Sequence, residues 1–276
     1  MTLTGRNIFF KAGIGFCAVF LFIAVVASSI VMPVYSMMDE DTPRPTGVFQ
    51  VFVSRLLENN YFSVHTSVIL AVLFSLIGTI LIYYFFEQTL AHEILYVYLF
   101  TLSFSIEASR LIVPLHLIYD VPPLYLLMAS RVLLFGRYFG IFALFAASVC
   151  AAGLKIQQTR NPMLIITAAA LIITLGVPID TQTWDTSLNM IVGYTSMFRF
   201  IEAVILVTSV ISFMVASYTR SSREYIFIGL GALFVMIGRN ILLDGDNWSS
   251  PVPGILLLAA GTWFICSRLH KINLWL

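Results

Sequence analysis

Charge is what this sequence has least of. Asp, Glu, Lys and Arg make up 11% of its 276 residues, against about 25% in soluble domains. Hydrophobic residues make up 59%, and the mean hydropathy is +0.94. A chain with so little polar surface cannot cover itself in water, so it reads as an integral membrane protein. That character excludes a nucleic-acid binder, and the net charge of +1 means that the protein as a whole draws in neither acidic nor basic partners. Cysteine is also scarce. Cys17, Cys150 and Cys266 lie in or at the end of apolar runs with no CxxC spacing. They read as small core residues, not as a disulfide framework or a metal site.

The motifs of common chemistries are missing too. His92-Glu93 lacks the second histidine of HExxH, and there is no GxSxG, Walker loop or paired-aspartate metal signature. The three lysines, Lys11, Lys155 and Lys271, flank apolar runs instead of sitting inside them, which excludes a Schiff-base lysine within the bundle. The sequence implies no cofactor and no catalytic residue. An intramembrane enzyme using Glu107 or Glu202 as acid or base has no motif behind it. Of the histidines, His116, beside Asp120, is the one near the charged layer described below.

What is present is length of apolar run. A membrane-spanning helix needs roughly 20 mostly apolar residues. Eight runs qualify, at about 13–33, 67–86, 94–115, 124–152, 162–179, 196–218, 225–243 and 253–268. They do not alternate as barrel strands do, so the expected fold is all-α: a single polytopic bundle of eight transmembrane helices over 1–276. The first run, led by Arg6 and Lys11, is expected to be an uncleaved signal anchor. Alternating the connections places Arg6, Lys11, Lys155, Arg160, Arg220, Arg223, Arg268 and Lys271 on one side, and Arg44 and Arg55 with most of the acids on the other. By the positive-inside rule both termini are cytoplasmic. The expected setting is a bacterial inner membrane.

The cytoplasmic connections are short, and no kinase, cyclase or nucleotide-binding domain is evident. The one sizeable loop, 34–66, lies on the outer side. Within it Val48, Phe49, Phe52, Val53, Leu56 and Leu57 fall at helical spacing, predicting a short amphipathic helix on the interface or over the bundle. Gly136 with Gly140, and Gly231 with Gly238, mark sites of close helix approach.

Seven charged residues interrupt the apolar runs: Glu107, Arg110, Arg131, Arg137, Arg199, Glu202 and Arg239. Ionisable side chains inside a membrane face the bundle interior or a wet cavity. Measured from the nearest cytoplasmic charge at about 1.5 Å per residue, they stand about 21 to 36 Å up their helices. Against a core about 30 Å thick, that is one layer in the outer half. Five arginines against two glutamates leave a surplus of three guanidiniums, groups suited to carboxylate and phosphate. Two readings stay open. One is an outward-opening pocket for an anionic small molecule or lipid headgroup. The other is a structural ion-pair network completed by Asp120, Asp180, Asp185, Asp244 and Asp246.

The polar turn Glu87-Gln88-Thr89-Leu90-Ala91-His92-Glu93 and the stretch Arg223-Glu224-Tyr225, Gly231, Gly238-Arg239-Asn240 add a resemblance. From about 67 to 271 the layout resembles the seven-helix membrane module of bacterial receptors with diverse intracellular signalling outputs. In that family the helices follow an extracytoplasmic sensing domain and precede a kinase or cyclase. Here the outer segment is about 33 residues and no output domain is evident. The expectation is therefore a receptor-like or accessory subunit that binds an anionic ligand or lipid headgroup beside a protein partner in the membrane or cytoplasm. The rivals are a transporter or flippase of an anionic lipid or metabolite, and a structural subunit of a larger complex.

Overall fold

A computed structural model describes residues 3–38, 59–89, 92–153 and 160–274. The fold is a helical bundle. Its helices are α1 (Leu3–Met38), α2 (Tyr61–Phe86), α3 (His92–Ser103), α4 (Ile112–Tyr119), α5 (Pro123–Ala151), α6 (Arg160–Gly176), α7 (Thr195–Thr219), α8 (Glu224–Asp244) and α9 (Pro251–Leu274). A 3-10 segment, Phe104–Leu111, joins α3 to α4, and the three together form one span, His92–Tyr119. Seven helices among the described residues are long and apolar enough to cross a membrane. The chain is a multi-pass membrane protein.

The eighth expected run is present but short. Its apolar helix covers Pro162–Gly176, which at about 1.5 Å per residue reaches little more than 20 Å. The expected loop 180–195 holds a two-stranded antiparallel hairpin, β1 (Ile179–Trp184) and β2 (Met190–Val192). The expected amphipathic helix lies outside the described residues.

The His92–Tyr119 span is the most deeply enclosed of the seven. Tyr96, Tyr98, Phe100 and Leu99 are fully buried, and the Tyr98 hydroxyl donates to the Phe10 carbonyl at 2.6 Å, tying the span to α1. Its departure from α-helix has local causes. The hydroxyls of Thr101, Ser103 and Ser105 each donate to the carbonyl three residues back and so compete with the backbone amides for those acceptors. Further on, Pro114 has no N–H for the Arg110 carbonyl, and its ring crowds that group. Eight residues of 3-10 geometry is long for that conformation.

Glycines set the close approaches. A side chain at Gly140 would strike the Ser103 hydroxyl, and one at Gly136 would press on Ile106, so α5 lies hard against the broken span. Gly231 and Gly238 of α8 face Gly261 and Gly254 of α9 in a reciprocal seam where added Cβ atoms would meet backbone at 2.7–3.1 Å. Small residues at this spacing allow backbone-to-backbone packing where water gives no hydrophobic drive.

The two described ends of the chain meet the same end of the bundle. Buried Arg6 donates to the carbonyls of Phe86, Glu87 and Thr89, which serves the orphan carbonyls at the end of α2. Phe86 in turn packs edge-on against His270 of α9. At the opposite end Asn60 caps α2 by accepting from the Phe62 amide, and its own amide donates to the Asp246 carbonyl.

Candidate functional site

The charged layer is built from the broken span outward. In 3-10 geometry residues i and i+3 eclipse, so Glu107 and Arg110 stack on one face, with Nη1 of Arg110 3.6 Å from Oε2 of Glu107. The larger rise, about 2 Å per residue, lifts Arg110 to about 29 Å above Glu93, higher than a uniform α-helix would place it. From α5, Arg137 donates through Nε to Oε1 of Glu107 at 2.8 Å and through Nη2 to Oε2 at 3.0 Å. This is a two-pronged pair of the kind guanidinium favours. Glu107 is 3% exposed and Arg110 1%.

The hairpin closes the triad from above. Nη2 of Arg110 donates to the Ser187 carbonyl, and Nη2 of Arg137 donates to Oδ1 of Asn189 at 3.1 Å. The Asn189 amide nitrogen donates to the Ser187 hydroxyl at 2.8 Å, which fixes its orientation. Leu188 sits between them at φ +56°, a costly conformation for a bulky side chain. Its burial among Val64, Val113, Leu126 and Met190 holds it there.

A second pair links α7 to α8. Arg239 stands 3.8 Å from Glu202 and donates to Oδ1 of its neighbour Asn240 at 2.9 Å. Glu202 thus pairs across helices, although Arg199 lies one turn away on its own helix. Arg131 joins neither group and donates to the Thr174 carbonyl of α6.

Beside the triad a chamber of about 390 Å³ opens between α5, α7, α8 and the hairpin. Arg137, Arg199 and Arg239 line it, and so do Asp185, Glu202 and Asp244. Four of the seven residues singled out from the sequence therefore meet in one cavity, two more sit in the triad behind it, and Arg131 stands apart. The chamber's charges balance, three against three. The acids Asp185 and Asp244, expected from the sequence only as outer loop partners of the layer, stand at or beyond helix ends and line the chamber itself. The hairpin left a signal in the β-branched alternation of Ile179-Asp180-Thr181-Gln182-Thr183-Trp184.

Engagement of these charges is uneven. Arg137 is held by Glu107 and Asn189, and Arg239 by Glu202 and Asn240. Asp185 accepts from the Thr186 amide at 2.7 Å. Arg199 and Asp244 are exposed, and neither makes a hydrogen bond or close ion pair with any described residue. A larger cavity of about 470 Å³ lies between α2 and α9, but its lining, with Phe74, Leu81 and Trp263, is overwhelmingly apolar, as suits a face toward hydrocarbon. No cluster of metal-ligating side chains occurs among the described residues. No protein-family model, curated protein or solved structure matches this chain.

Proposed function

We propose that this protein is a receptor-like or accessory subunit of a bacterial inner membrane, with both termini cytoplasmic, and that it binds a ligand bearing an anionic group in the chamber of its outer half. The observation that carries this reading is Arg199, a guanidinium in the chamber wall with no partner among the described residues. Arginine keeps its charge and presents a fork suited to phosphate or carboxylate. The triad behind it acts as a rigid wall, because Arg110 and Arg137 are already committed to Glu107. The shortness of the connections at the basic end supports a separate protein partner.

The test is native mass spectrometry of gently purified wild type against Arg199→Ala. Arg199 is exposed, so the variant is expected to fold, and an anionic species that copurifies with wild type is expected to be lost. Equal retention of that species by wild type and variant would overturn the reading.

A second reading, a transporter or flippase of an anionic lipid or metabolite, gains one specific support: the non-α break within a span that carries Glu107 and Arg110. Lipid flipping or solute uptake in proteoliposomes, abolished by Arg199→Ala, would favour it over the receptor.

A further inference from the structure

Two charges of opposite sign in the chamber make no hydrogen bond or close ion pair with any described residue, although Asp244 lies within electrostatic reach of Arg110 and Arg137, and they stand level. Arg199 lies 21 residues before Arg220 on α7, and Asp244 lies 21 residues after Arg223 on α8. The two helices run antiparallel from the turn that carries both of those arginines. At about 1.5 Å per residue each charge is about 31 Å above that turn. That is the far edge of a hydrocarbon core about 30 Å thick, the depth of lipid headgroups.

Each charge is also of the sign its helix end disfavours. Arg199 is in the opening turns of α7, at the positive end of the helix dipole, and Asp244 is the last residue of α8, at the negative end. Neither helix end supplies the charge on it with a counter-charge, and neither charge is held by a hydrogen bond. A plain anion would satisfy one pole and face three carboxylates in a chamber whose fixed charges already cancel. A ligand carrying both signs satisfies both poles and leaves the balance unchanged.

We infer that the chamber takes a zwitterion with a phosphate and an ammonium group, Arg199 holding the phosphate and Asp244 the ammonium. The inference rests on the reading of this chamber as a ligand site and names its ligand class. The same pair of groups is presented by an ethanolamine phospholipid of the outer leaflet, which is neutral overall, and by a free phospho-amine, whose monoester phosphate leaves it net negative at pH 7.

The experiment uses the full chain in nanodiscs of phosphatidylglycerol, titrated with O-phosphoethanolamine, inorganic phosphate and ethanolamine, and read by calorimetry. A parallel arm scores phosphatidylethanolamine retained from mixed-lipid nanodiscs by native mass spectrometry. O-phosphoethanolamine binding at least tenfold more tightly than phosphate supports the inference and points to a free ligand. Selective retention of phosphatidylethanolamine supports it and points to the lipid. In either case Asp244→Asn is expected to lower affinity for the zwitterion about tenfold without weakening phosphate, while Arg199→Gln weakens both. If phosphate binds as tightly as O-phosphoethanolamine, and Asp244→Asn tightens both, the zwitterion is wrong and the anion site stands. If no probe binds and neither lipid is enriched, in wild type of unchanged thermal stability, the chamber is not a ligand site and both readings fall.

Discussion

The protein contains two ionic clusters of the same charge pattern, one carboxylate between two cations, in opposite surroundings. In the half of the bundle away from the basic connections Glu107 sits between Arg110 and Arg137. At the basic end Glu224 sits between Arg268 and Lys271, at 2.9 and 2.6 Å. The distances at the basic end are as short as those in the triad, yet the two clusters do different work. Glu107 and Arg110 are closed off from solvent, and each guanidinium there also serves a hairpin carbonyl or amide oxygen. Lys271 is half-exposed, in water that already solvates it. Distance alone says little about an ion pair. What separates these two is the state left behind when one partner is taken away.

The largest expected effect follows. Glu107→Gln leaves two guanidiniums facing each other in an enclosed site with no carboxylate between them. Removing one member of a buried ionic group costs about 3–5 kcal/mol. Reversible unfolding in mixed micelles should show a loss of that size, with the hairpin loosened as judged by hydrogen exchange at Ser187–Asn189. A loss under about 1 kcal/mol would mean that water reaches the triad and that the comparison with Glu224 fails.

Charge can then be separated from geometry. Arg137→Lys keeps the positive charge but replaces a planar fork with a point charge, so it cannot hold both Glu107 oxygens and Asn189 together. The expected cost is about 1.5–3 kcal/mol, the range of hydrogen bonds to charged groups. Arg268→Lys in the exposed cluster serves as the matched control and should be close to neutral. Equal costs at the two positions would show that the fork is irrelevant in the triad.

The hairpin's share is smaller. Asn189→Ala removes one bond to Arg137 and the bond to the Ser187 hydroxyl but leaves the ion pair in place. About 1–2 kcal/mol is expected, and the double variant with Glu107→Gln should be clearly less than additive, because both act on the same guanidinium.

These clusters also mark where the sequence is readable. The spans are legible because an apolar run of 20 residues has few other uses, and the charged layer because each charge interrupts such a run. The partners are not, since they depend on helix rotation that hydropathy does not encode. Glu202 has Arg199 one turn away on its own helix and turns to Arg239 on α8. Glu107 and Arg110 were legible as neighbours, but the 3-10 geometry that stacks them arises from hydroxyls at 101, 103 and 105 and the proline at 114, each unremarkable alone. Asp185 and Asp244 are legible as outer acids but stand outside the apolar runs, so a tally of five arginines against two glutamates within the runs overstates a surplus that the chamber itself does not show. Gly254 and Gly261 were missed because their seven-residue spacing gains meaning only opposite Gly231 and Gly238.

The smallest expected effect is at Glu224, and salt makes it decisive. Glu224→Gln removes an acid held by two cations, but all three groups retain access to water, and exposed pairs contribute about 0–1 kcal/mol. Their attraction is screened over roughly 8 Å at physiological ionic strength and over roughly 3 Å at 1 M salt. Stability measured for wild type and Glu224→Gln should therefore differ by under about 1 kcal/mol at low salt and converge at 1 M. The gap between wild type and Glu107→Gln should persist unchanged across the same range, because ions that cannot enter the triad cannot screen it. If the Glu224 gap survives high salt, the basic end is as closed as the triad, packed against something that excludes solvent, and the contrast between the two clusters is lost. If the Glu107 gap shrinks with salt, the chamber admits ions as far as the triad, and the wall behind Arg199 is part of the binding surface.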